Sequence, residues 1–193
     1  LYVLLKSISA MPLGAVLIAV LVLLAVLRDW RWLVLLWALQ SVPVAMLLRL
    51  YLPLPWAIAQ VFVAGLIALM LALSLKGKQT NFNLPTVWLW RIGFLPLVAV
   101  VVWWLGGYIP TPWHNNVYLL SLATVAVFDI LVGDDRLSSG IGLLLAWEGF
   151  MVAIAMILPP ETAMLGLYVA EIVLGLSIAY LVLVENSREE RFA

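Results

Sequence analysis

The stretch "LLLAWEGFMVAIAM", residues 143–156, sets one acid, Glu148, into the middle of an otherwise apolar run. No positive charge stands near it in sequence. The same arrangement returns in "LYVAEIVLGL", residues 167–176, where Glu171 is flanked by apolar residues on both sides. Between the two runs lies a short proline turn, "LPPET". A pair of apolar runs of this length, joined by a tight turn, reads as a hairpin of membrane-spanning helices.

The rest of the chain agrees with that reading. Of its 193 residues 66% are hydrophobic and 10% charged, whereas a soluble domain is about half apolar and one quarter charged. Apolar runs of this length make helices the spanning element, because lipid offers no partner to an open backbone. The net charge is zero, so no basic face for nucleic acid is indicated. The chain has no cysteine and a single histidine, His114. That excludes disulfides, thiolate-bound clusters and haem held by two histidines of this chain. No cofactor, metal or soluble small-molecule substrate is expected, and no cleavable signal peptide is visible.

Charged or proline-rich breaks divide the sequence into seven predicted spans, at about 11–27, 32–50, 55–75, 89–107, 116–133, 137–158 and 162–185. The expected fold is an all-α polytopic membrane protein. Trp30, Trp32, Trp56, Trp88, Trp90 and Trp113 stand at span ends, as interfacial anchors do. Alternating the loops puts Arg28, Arg31, Lys76, Lys78, Arg91, Arg136, Arg188 and Arg191 on one side, against Lys6 and Arg49 on the other. The excess of cations marks the cytoplasmic side. The N-terminus is therefore expected outside and the C-terminus in the cytoplasm, in an inner (plasma) membrane of prokaryotic type.

A weak internal repeat accompanies this topology. "WALQSVPVAMLL" (37–48) aligns with "AWEGFMVAIAMIL" (146–158), setting Gln40 opposite Glu148. "VFVAGLIALMLALS" (61–74) aligns with "LYVAEIVLGLSIAY" (167–180), setting Gly65 opposite Glu171. The expected organisation is two parallel three-helix repeats joined by a central helix. Residues 1–76 form the first unit, 77–110 the connecting loop and helix, and 111–193 the second unit with a cytoplasmic tail.

Glu148 is about eleven residues from each end of its span, and Glu171 about ten from the start of its own. At about 1.5 Å per residue both lie roughly 15 Å deep, near the midplane. An ionised carboxylate there costs about 2.5–3.5 kcal/mol on insertion scales. A midplane carboxyl that switches charge is suited to carrying protons; the alternative is a structural carboxyl bonded to a neighbouring helix. Tyr168 lies three residues before Glu171 and Gly175 four after, on the same face. Tyr168 is placed to donate a hydrogen bond, and Gly175 permits close helix approach. Ala170 and Gly175 are also read as leaving room beside Glu171 for partners or water. Gln40 is inside the second span, where it either bonds another helix or joins the path. Asp129 is one turn from the end of the fifth span and is expected to reach the interface, with a possible part in a proton path. Gln60 and Arg49 are expected to be interfacial, and Pro43 to interrupt the second span.

On these residues the chain resembles the three-helix NuoK-type subunit of respiratory complex I. The matching stretches are "DDRLSSGIGLLLAWEGFMVAIAMI" and "LYVAEIVLGLSIAYLVLV", and the likeness covers about 116–187. It implies that Glu148 and Glu171 correspond to the two proton-path glutamates of that family. The residues after Glu148, "GFMVAI", lack the polar Asn or His found just beyond it there. Over its whole length the chain looks more like the longer HyfE-type subunit of group 4 membrane hydrogenases, whose first half "WALQS" resembles. The MrpC-type subunit of cation/proton antiporters is a shorter relative. The resemblance implies a proton-translocating, non-redox membrane subunit of a complex I-like assembly, with antiporter-like membrane subunits as partners. A stand-alone secondary transporter and a structural or assembly subunit are the alternatives. A retinal protein is excluded by the absence of a lysine from the last span, and intramembrane proteolysis lacks a serine–histidine or aspartate pair.

Overall fold

The computed structural model describes residues 19–24, 29–75, 113–132, 135–157 and 161–192, together with positions 93, 100 and 104. Among the described residues stand five helices: α1 (Trp30–Leu48), α2 (Leu54–Ser74), α3 (Trp113–Val132), α4 (Arg136–Ile157) and α5 (Glu161–Phe192). They match the second, third, fifth, sixth and seventh predicted spans to within a few residues, except that α5 runs on to Phe192. Residues 19–24, inside the first predicted span, are helical, as are positions 93, 100 and 104 of the fourth. The remainder of those two spans lies outside the described residues.

Local chemistry sets the helix ends. The Asp29 carboxylate accepts the Arg31 N–H at 3.0 Å and starts α1. Asp135 does the same for α4, accepting the Ser138 N–H at 2.9 Å. The prolines at 53 and 55 open α2, where the missing N–H has no helical partner to lose. α1 continues through Pro43. The expected interruption does not occur, because the ring fits the helical φ and only the bond to the Leu39 carbonyl is given up.

Among the described residues four helices are long and apolar enough to cross a membrane: Trp30–Leu48, Leu54–Ser74, Arg136–Ile157 and Ala163–Ser187. The described side chains of α3, Tyr118–Leu131, form a further apolar helical stretch. No strand occurs among the described residues. The outward faces carry large apolar side chains, among them Phe62, Leu69, Leu73, Leu165, Val173 and Tyr180. This is the surface of an α-helical membrane protein, solvated by lipid chains.

α1, α2, α5 and α4 form a closed ring in which each packs on two neighbours, and α3 packs on α4 from outside. α2 and α5 run parallel, since three contacts advance together along both. The Trp56 carbonyl meets Tyr168, Gln60 meets Glu171, and Ile67 meets Gly175. Ala57, Gln60, Ala64, Ile67 and Leu71 are the buried residues of α2, and their alternating three–four spacing is that of a coiled-coil seam. The space a side chain at Gly175 would need is taken by Ile67, so the close approach expected of this glycine is present and the expected room beside Glu171 is not.

Candidate functional site

Each helix of the ring contributes an amide or carboxyl side chain that is 0% exposed: Gln40 from α1, Gln60 from α2, Glu148 from α4 and Glu171 from α5. Their levels agree. Gln40 is eight residues before the end of α1 and Gln60 six after the start of α2, and these ends share one turn. Glu148 is nine residues before the end of α4 and Glu171 ten after the start of α5. At about 1.5 Å per residue the four lie roughly 9–15 Å in from the same face.

Gln60 Nε2 donates to Glu171 Oε1 at 3.1 Å. One turn toward the α2 start, the Tyr168 hydroxyl donates to the Trp56 carbonyl at 2.7 Å. Their rings stack with centroids 5.9 Å apart and an interplanar angle of 22°. Tyr168 thus closes the end of the site by gripping the α2 backbone. It does not donate to the acid, as its place on the same face had suggested: the hydroxyl reaches the Trp56 carbonyl, whose oxygen has a second lone pair beyond the one used within the helix.

Glu148 is brought to Glu171 by the α4–α5 hairpin. A side chain on Gly140 would strike Ile178, which fixes the register. Counting eight residues inward on each helix reaches Glu148 and Ala170, next to Glu171. The hairpin therefore sets the two acids at one level on neighbouring helices. Both Glu148 oxygens, both ends of the Gln40 amide, Gln60 Oε1 and Glu171 Oε2 are buried without a hydrogen bond among the described residues. Buried polar atoms are satisfied almost everywhere in folded proteins. The indole N–H groups of Trp37 and Trp147, near Gln40 and Glu148 in sequence, are unsatisfied too, and buried carboxyls and carboxamides of this kind are suited to exchanging protons or binding a small cation. Among the described residues no three His, Cys, Asp or Glu side chains converge as a metal site.

Two expectations are corrected. Gln60 is not interfacial: the seam of α2 turns it onto α5, and it is the only side-chain hydrogen-bond partner Glu171 has among the described residues. Its three–four spacing with Ala57, Ala64 and Ile67 was the available signal. Asp129 does not reach the interface but is 0% exposed. Gly142 lets α3 approach so closely that a Cβ there would lie 3.0 Å from the Asp129 Cβ and 2.8 Å from the Ala126 carbonyl oxygen. Asp129 stands on the α3–α4 interface, outside the ring. Along α4 it lies six residues, about 9 Å, from the level of Glu148 toward Arg136. Arg49 is exposed, as expected, and its guanidinium reaches the Leu52 carbonyl at 3.4 Å.

The structure also bears on the repeat register. At the sequence offset of the Gln60–Glu171 bond, every buried residue of α2 from Ala57 to Leu71 aligns with a buried residue of α5, from Tyr168 to Val182, although Ile67 itself packs on Gly175. Setting Gly65 over Glu171 instead pairs an exposed glycine, with nothing within 4 Å of where its Cβ would be, with a fully buried acid.

Compared with known proteins, the chain matches no family model, no curated protein and no solved structure.

Proposed function

We propose that this chain is a proton-translocating membrane subunit of a complex I-like assembly, and that Glu148 and Glu171 pass protons through it. One observation carries the reading: two carboxyls from adjacent helices, fully buried at matched depth inside an apolar bundle. A charge there costs about 2.5–3.5 kcal/mol. Two such charges side by side repel, so a proton held by one acid favours release from the other. That coupling makes the pair a relay. Asp129 extends the path toward the Arg136 end, Gln40 adds a polar group at the level of the pair, and Tyr168 fixes α5 against α2. Seven spans with a cytoplasmic C-terminus place this relay between two aqueous sides. The chain carries no redox centre of its own in this reading. Electron transfer belongs to partner subunits, and antiporter-like chains are the neighbours to which protons pass. The resemblance of 116–187 to NuoK-type subunits supports the same assignment.

The test is Glu148→Gln and Glu171→Gln, each of which keeps shape and removes the ionisable proton. Proton uptake by energised inverted membrane vesicles is measured against the abundance of the assembled complex. Both variants should assemble and lose uptake. Full uptake in both refutes the reading, and recovery of the chain alone in mild detergent, without antiporter-like partners, favours a stand-alone transporter.

A further inference from the structure

The buried seam holds a feature that the two acids do not explain. Gln60 and Glu171 face each other from two parallel helices and are joined by a hydrogen bond at 3.1 Å. Gln and Glu differ by one group, an amide NH₂ for an oxygen, and are otherwise isosteric. The first hairpin thus presents carboxamides, Gln40 and Gln60, at the level where the second presents carboxyls, Glu148 and Glu171.

We propose that Gln60 is the positioning partner of Glu171, and that the proton-carrying element is the Gln60–Glu171 pair, in which the carboxyl functions from either helix. This rests on the proposed relay. The amide N–H engages Oε1 alone, which holds the carboxyl in one orientation and leaves Oε2, buried and without a hydrogen bond among the described residues, as the oxygen that takes and gives the proton. An amide that only donates to this acid holds no proton to pass on, so Gln60 orients the carboxyl and is not a relay station. The site is incomplete without α2, and the first hairpin is part of the proton path although it carries no acid.

The test is an exchange across the hydrogen bond. Glu171→Gln alone, Gln60→Leu alone and the double variant Gln60→Glu/Glu171→Gln are made in the full complex, and uptake is normalised to assembled complex. Glu171→Gln should lower uptake about 10²-fold, the lower range for removing a proton-transfer group. The double variant should recover to within about tenfold of the native chain, because the pair keeps its volume, its bond and one carboxyl. Gln60→Leu, which keeps Glu171 but frees it, should lower uptake in complexes that still assemble. A carbodiimide, which adds to protonated buried carboxyls, should label position 171 in the native chain and position 60 in the double variant. A double variant that assembles yet stays as inactive as Glu171→Gln overturns the proposal and leaves the relay reading standing. Failure of the double variant to assemble overturns it too, since an isosteric exchange conserves packing. Native uptake in Glu171→Gln removes the relay role of Glu171 itself, and this proposal with it.

Discussion

Replacing Gly175 by alanine tests the parallel α2–α5 contact directly. The new methyl would lie 2.6, 2.7 and 2.9 Å from Ile67 Cγ2, Cγ1 and Cδ1. Carbon atoms rest at about 3.5–4.0 Å, so something must yield by about 1 Å. Ile67 is fully buried, 0% exposed, so a new rotamer meets other packed side chains, and overpacking of this kind costs about 1–3 kcal/mol. Alanine returns up to about 1 kcal/mol of helix propensity. The net expectation is a loss of about 1–2 kcal/mol, a fall of roughly 2–8 °C in the thermal midpoint for a chain of this size. The assay is thermal unfolding in mild detergent, with Gly65→Ala and Gly166→Ala as controls, since neither position has an atom within 4 Å of the added methyl. Both controls should be neutral or slightly stabilising. Ile67→Ala alone should cost about 2–5 kcal/mol. Combined with Gly175→Ala it should cost less than the two losses added, because the methyl then fills space the isoleucine vacated. A Gly175→Ala chain as stable as Gly65→Ala, or strict additivity in the double variant, refutes the contact.

Gly142→Ala should be worse than Gly175→Ala, costing about 2–3 kcal/mol by the same assay, because the nearest atom is the Ala126 carbonyl oxygen at 2.8 Å and backbone has no rotamer to escape into; an equal or smaller loss refutes this. Tyr168→Phe should cost about 1 kcal/mol, the worth of one hydrogen bond, while the ring keeps its stack on Trp56; a loss as large as that of a core truncation would show that the ring also moves. A cysteine placed at Arg188, in a chain otherwise without cysteine, should resist an impermeant thiol reagent applied outside intact cells; rapid labelling refutes the proposed orientation.

The helix boundaries were legible because proline, aspartate and glycine write them into the sequence: Asp29, Pro53 and Asp135 all act where their chemistry places them. Glu148 and Glu171 were legible as buried because an acid in the middle of an apolar run has nowhere else to go. Gln60 was not. Its distance from the helix end suggested the interface, and only the seam, which depends on the partner helix, turns it inward. Asp129 was misplaced for a similar reason. Depth along one helix is a local property, but burial at the α3–α4 contact follows from Gly142 on another helix. Tyr168 was placed on the correct face, yet its hydroxyl partner is a carbonyl 112 residues away, beyond any local pattern.

The parallel pairing of α2 with α5 also orders the birth of the protein. Antiparallel neighbours such as α1 with α2, or α4 with α5, form from short turns as each hairpin enters the bilayer. Parallel neighbours cannot, and the Gln60–Glu171 bond spans 111 residues. Each hairpin therefore inserts with its polar side chains unpaired, Glu171 bearing a penalty of about 2.5–3.5 kcal/mol if charged. The penalty is relieved only when the second hairpin docks on the first. A chain whose halves have not met carries exposed polar groups in lipid, which distinguishes it from the finished bundle. Completion of the bundle and completion of the site are one event.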